Sequence, residues 1–179
     1  MIQHEATLVK CISISGKSGT DGRFSVNVDA LPVIKKPFEM KVADSDGGVS
    51  VTNVVSGLLF LAAGQSNMEV PVKEALNPEE EAAAADYPLI REFKVEHEYS
   101  FEPCLSLKGR WTLVSPATAP QIGAVGYYTV RMVQNEMDGI PVGIINNSFS
   151  ATPIEAWLPE SFLRDDPALV GDGDRHEAV

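Results

Sequence analysis

Hydrophobic and polar positions alternate early in the chain and then change period. Phe24, Val26 and Val28 alternate with polar neighbours, as do Phe38, Met40 and Val42, while Leu8 to Ile14 is short and rich in β-branched residues. A period of two is that of a half-buried strand. Asp21-Gly22 and Asp46-Gly47 supply turns, because glycine tolerates positive φ and aspartate bonds to its own backbone. Val49 to Val55 continues the strand signal, and the first 56 residues therefore predict a small antiparallel β segment.

From Gly57 onward the pattern differs. Leu58 to Ala63 is an uninterrupted apolar run, as expected of a strand covered on both faces. Asn77-Pro78 followed by Glu79, Glu80, Glu81 and four alanines predicts a short helix with acids at its positive end. Ile90 to Val95 predicts a strand. Gly123 to Met137 carries Val125, Tyr128 and Met132 at helical spacing, with Gly139 as its stop. Pro141 to Ile145 then predicts a second short buried strand. The order strand, loop, helix, strand points to a parallel sheet, with ligands where strands end in loops. Two regions are expected, 1–56 and 57–179.

Composition narrows the function. The chain has 179 residues and a net charge of −11, enough length for a core that needs neither disulfides nor structural metal. The acidic balance argues against nucleic acid and anionic membrane surfaces. Val54 to Ala63 is interrupted by Ser56 and Gly57 and is far shorter than the roughly 20 residues a spanning helix needs. No basic start with an apolar run marks a secretory leader, so a cytoplasmic location is expected. Cys11 and Cys104 stand far apart and are expected to be buried free thiols. Gly16-Lys17-Ser18 has Cys11 where a phosphate loop needs glycine, and Asp172-Gly173-Asp174 lacks the other ligands of a calcium loop. No metal or cofactor is expected.

The candidate chemistry lies in two loops. Gly64-Gln65-Ser66-Asn67-Met68 follows the strand Leu58 to Ala63 directly. A serine there sits at a strand's carboxyl end, where Gly64 permits a tight turn and the N–H groups of Ser66 and Asn67 converge on a developing oxyanion. A polar turn closing the strand, with Asn67 in an Asx-turn, explains the same residues. The segment lacks the second glycine of G-x-S-x-G, so it is not the α/β-hydrolase elbow. Asn146 to Trp157 follows the second strand and is expected beside the first loop at one sheet edge. Trp157 suits either stacking on a sugar or the core, and Glu155 either a contact role or simple exposure. Gly123 and Gly126 at the helix start allow close approach of a ligand, or of helix to strand.

These blocks resemble the sialate O-acetylesterase-like carbohydrate esterases of the SGNH hydrolase superfamily. Val54 to Val72, with Gly-Gln-Ser-Asn-Met-Glu-Val-Pro-Val at its end, is similar to the nucleophile block of that family. Gly126-Tyr127-Tyr128 resembles its Ser-Ala-Val-Gly-Tyr-Tyr segment, and Thr152-Pro153-Ile154-Glu155-Ala156-Trp157 its Gly-Gly-Thr-Pro-Ile-Glu-Ala-Trp block. Gly22 to Val26 and Pro37 to Met40 resemble the β module that precedes the catalytic domain. The resemblance implies a flavodoxin-like three-layer α/β/α domain, here partial, and hydrolysis of O-acetyl esters on sugars, sialic acids included, with a homo-oligomer left open. It implies Ser66 as nucleophile and Gln65, Asn67, Gly126, Ser150, Thr152 and Glu155 as oxyanion or substrate contacts.

The chain departs from that family in three places. Gly57-Leu58-Leu59-Phe60 stands where relatives carry Gly-Asp-Val-Trp, and Ser150-Ala151-Thr152 where they carry Gly-Gly-Thr. Asp-x-x-His, which supplies their acid and base, has no counterpart: Gly173 precedes His176 by three, and His4 and His97 fall outside the family order. The chain is expected to be truncated at both ends relative to the family, with an unpaired sheet edge. The competing reading is a catalytically incomplete or sugar-binding remnant.

Overall fold

The computed structural model describes residues 12–28, 31–100, 103–104 and 106–165. The chain divides into two compact units, Met1–Pro32 and Val33–Val179. In the first, residues 23–28 form no strand despite their alternation, and Gly22 turns at φ +77° with its N–H on the Gly19 carbonyl. Alternation alone does not make a strand, because a strand needs a partner for its ladder. The predicted strand Leu8 to Ile14 falls largely outside the described residues.

The second unit opens with an antiparallel hairpin, β1 (Ile34–Ala43) and β2 (Gly48–Ser56). Its turn closes through the Asp44 carboxylate, which accepts the N–H groups of Asp46 and Gly47. β3 (Leu58–Gly64) then runs into α1 (Ser66–Glu69); α2 (Pro78–Ala83), β4 (Tyr87–Val95), β5 (Gly109–Val114), α3 (Ala124–Glu136), β6 (Val142–Ser148) and α4 (Glu160–Asp165) follow. The sheet order is β3-β6-β4-β5. β6 lies parallel between β3 and β4, and β5 pairs antiparallel at the far edge. The architecture is thus the expected mixed α/β, with the antiparallel β5 unforeseen.

One face of the sheet packs on α3. Ala62, Ile90, Val142 and Ile144 meet Tyr127 and Val130 in a common core, and each fully buried side chain of this size contributes about 1.5–3 kcal/mol. The helix turns a different stripe inward than its apolar spacing predicts. Ala124, Tyr127, Val130 and Gln134 are buried, whereas Val125 and Met132 are exposed. Gln134 is tolerated inside because its Nε2 donates to the Ile140 carbonyl at 2.9 Å. The helix stops where Asp138 and Gly139 both take positive φ, and the Gly139 N–H returns to the Gln134 carbonyl.

The opposite face is largely open to solvent. Leu59, Leu61 and Trp111 lie on it, and Leu61 is 68% exposed. The apolar run of β3 is therefore covered on one side rather than both. Cys104 is exposed, a correction to the expected burial; Cys11 lies outside the described residues. No described helix is long and apolar enough to cross a membrane.

Candidate functional site

Because β3, β6 and β4 run parallel, their carboxyl ends share one edge, and the loops that follow β3 and β6 meet there. Gly64 ends β3 at φ +149°, a conformation that a residue with a Cβ adopts only with strain, and pairs in register with Ser148 at the end of β6. The Phe149 N–H donates to the Gly64 carbonyl at 2.9 Å, which locks the two loops side by side. The expected juxtaposition of the Ser66 and Asn146 to Trp157 loops is what the register produces.

Ser66 is exposed at the first position of α1, with Gln65 as its cap. Its hydroxyl donates to the Gln65 side-chain oxygen. The first N–H groups of a helix have no carbonyl within it to bond, so those of Ser66 and Asn67 are without an intrahelical partner. Beyond α1 the chain is pinned to the start of α3: Val72 N–H bonds the Ile122 carbonyl at 2.9 Å and Ala124 N–H the Val70 carbonyl at 2.8 Å.

Gly126 is buried inside α3, and a Cβ there would meet Ile144 Cγ2 at 3.2 Å and Ala62 Cβ at 3.7 Å. That glycine lets the helix approach β6 and β3, the packing explanation of the two open from the sequence. In the second loop, Ser150 gives both its N–H, at 2.7 Å, and its hydroxyl to Glu69 Oε2. Thr152 Oγ1 donates to the Phe149 carbonyl and accepts the Trp157 indole N–H at 2.9 Å. Trp157 is half-buried and braces its own loop, and Glu155 is half-buried with its carbonyl bonded by the Leu158 N–H.

Four residues without a predicted role join this edge. Glu69 Oε1 lies 2.8 Å from His97 Nε2, which also faces the Ser148 carbonyl at 3.1 Å. Two acceptors at one ring nitrogen place the proton on Nε2. The His97 ring stacks on Phe149 with centroids 4.1 Å apart. Below them, Lys94 Nζ donates to Ser148 Oγ at 2.8 Å, Ser148 Oγ to Asn146 Oδ1 at 2.6 Å, and Asn146 Nδ2 to Glu92 Oε1 at 2.7 Å. Glu92, only 2% exposed, also accepts the Gly123 N–H at 3.0 Å and so anchors the start of α3. The sequence signal was available: Glu92 and Lys94 share the inward face of β4 with Ile90, and charge on a buried strand face demands partners.

An open groove of about 380 Å³ runs along this edge, lined by Glu69, Lys94, His97 and Arg110 among others. The Glu69 carboxyl is held below the usual carboxylate range. Burial pushes it up, and this is outweighed by the Ser150 hydroxyl and N–H, with the His97 and Lys94 charges adding to them. Among the described residues no cluster of three or more His, Cys, Asp or Glu side chains is disposed to hold a metal ion.

The mixed α/β fold is acetylesterase-like. The structure superposes on the crystal structure of a carbohydrate acetylesterase from Xanthomonas citri with a TM-score of 0.70 and 34% identity, over 73% of this chain and 30% of that one. In sequence the chain is sialate O-acetylesterase-like. It is 28% identical over 173 residues to the sialate O-acetylesterase of Rattus norvegicus, covering 89% of this chain and 31% of the relative. The corresponding human protein is 28% identical over 137 residues, or 68% of this chain and 25% of its own length. The chain thus spans about a third or less of the relatives it matches. No family model matches it.

Proposed function

We propose that the chain carries the nucleophile of a carbohydrate O-acetylesterase of the SGNH type, with Ser66 in that role. The observation that carries this is the place of Ser66: exposed, at the carboxyl end of a parallel strand, and beside the loop that ends in Thr152 to Trp157. Ser66 Oγ attacks the acetyl carbonyl carbon and gives its proton to a base. The tetrahedral oxyanion is met by the N–H groups of Ser66 and Asn67. Collapse expels the sugar oxygen, which takes the proton, and water then releases acetate from the acyl-serine. Among the described residues the Ser66 hydroxyl is bonded to Gln65 and not to a histidine, so the base enters from another part of the chain or from a second chain.

Acetate release from an aryl acetate and from O-acetylated sialic acid, with Ser66→Ala alongside, tests the reading. Turnover that disappears in the variant supports it. Equal rates in both proteins refute Ser66 as nucleophile and favour the reading of a stranded, catalytically incomplete piece.

A further inference from the structure

We infer that Glu69 is a positioning residue whose single carboxylate holds the loop after β6 and His97 in place against the serine turn. The inference rests on the esterase reading for its catalytic consequence and on geometry for the clamp itself. Glu69 is the last residue of α1, three positions after Ser66, and residues at that spacing share one side of a helix. Oε2 takes two bonds from Ser150, and Oε1 takes His97 Nε2 at 2.8 Å. One side chain on the segment after β3 thus ties down the segments after β6 and β4.

A second observation shows that the loop needs holding. Ala151, next to Ser150, sits at φ +63°, a left-handed conformation that alanine adopts only at a cost. Such strain persists where the surroundings over-determine it, and the two bonds from Ser150 to Glu69 are that constraint on one side of the residue. Thr152 supplies the other, through its bond to the Phe149 carbonyl and its bond from Trp157. The groups facing the carboxylate are Ser150, His97 and Lys94. Because its folded value is lowered, the clamp is fully formed above the ordinary carboxylate range and opens as pH falls through the lowered value.

The test compares the full chain with Glu69→Gln and Glu69→Ala. Acetate release is followed against pH, and exchange of the Ser150 amide hydrogen is followed by NMR in the same folded samples. Expected for Glu69→Ala is a fall in kcat of about 100-fold, the scale set by a misplacement of order 1 Å, with KM little changed. Glu69→Gln, which keeps one acceptor oxygen, recovers part of kcat and loses the acid limb of the profile. The Ser150 amide exchanges at least about tenfold faster in Glu69→Ala. An amide indifferent to the substitution overturns the clamp, and unchanged kcat in a protein with Ser66-dependent turnover overturns its role in positioning. Absence of Ser66-dependent turnover in the unsubstituted protein, with the amide still responding, instead overturns the esterase reading and upholds the clamp.

Discussion

Replacing Ala151 by glycine is expected to stabilise the protein, against the usual direction of alanine-to-glycine substitutions. Ala151 has φ +63°. An L-residue in the left-handed region brings its Cβ too close to the neighbouring carbonyl, at a cost of about 1–2 kcal/mol. Glycine removes that clash but adds backbone freedom to the unfolded chain, which offsets about 0.5–1 kcal/mol. The net gain is about 0.5–1 kcal/mol, which raises Tm by a few degrees in a chain of this size. Urea unfolding reads it as a higher midpoint at unchanged slope. Ala82→Gly, inside α2, is the control and is expected to lose about 0.5–1 kcal/mol. If Ala151→Gly destabilises as the control does, the left-handed conformation is not the one held in solution. The argument for strain in this loop then fails.

Two further outcomes follow from the packing. Glu92→Ala leaves the Gly123 N–H and the Asn146 amide without their shared acceptor in a buried site, a loss of about 3 kcal/mol at two orphaned donors of 1–3 kcal/mol each; an unfolding midpoint equal to that of the parent would refute the network. Gly57→Ala would place a Cβ 1.9 Å from the Pro141 carbonyl oxygen, a backbone collision that no side-chain movement relieves, and about 3 kcal/mol or more is expected from thermal or chemical unfolding.

How far the sequence reached depends on what each element needed. The helix after Asn77-Pro78 and the stop at Asp138-Gly139 were legible because caps and positive-φ positions are local chemistry. The strands β3, β4 and β6 were legible as apolar or alternating runs bounded by turns. β5 was missed, since Arg110, Trp111 and Thr112 show little periodicity and its existence depends on pairing with β4. The inward stripe of α3 was misread because Gln134 replaces an apolar residue on it and exposed Val125 and Met132 supply a false one. The departure of Ser150-Ala151-Thr152 from Gly-Gly-Thr was visible in the sequence, and the structure gives it meaning: the alanine occupies a backbone conformation that suits glycine.

Within the site, the local sequence was enough to mark Ser66 at the end of an apolar strand and the Asn146 to Trp157 segment at the end of another, because a strand followed by a glycine turn announces a loop at its carboxyl edge. It could not show that Glu69, His97, Lys94 and Glu92 work with them. Those residues come from β4, the segment just after it and α1 beyond β3, and they meet the loop after β6 only because three strands run parallel in the order β3-β6-β4 with Gly64 opposite Ser148. Register and strand order are long-range choices made by the packed core, and contacts between residues tens of positions apart exist only after those choices are made.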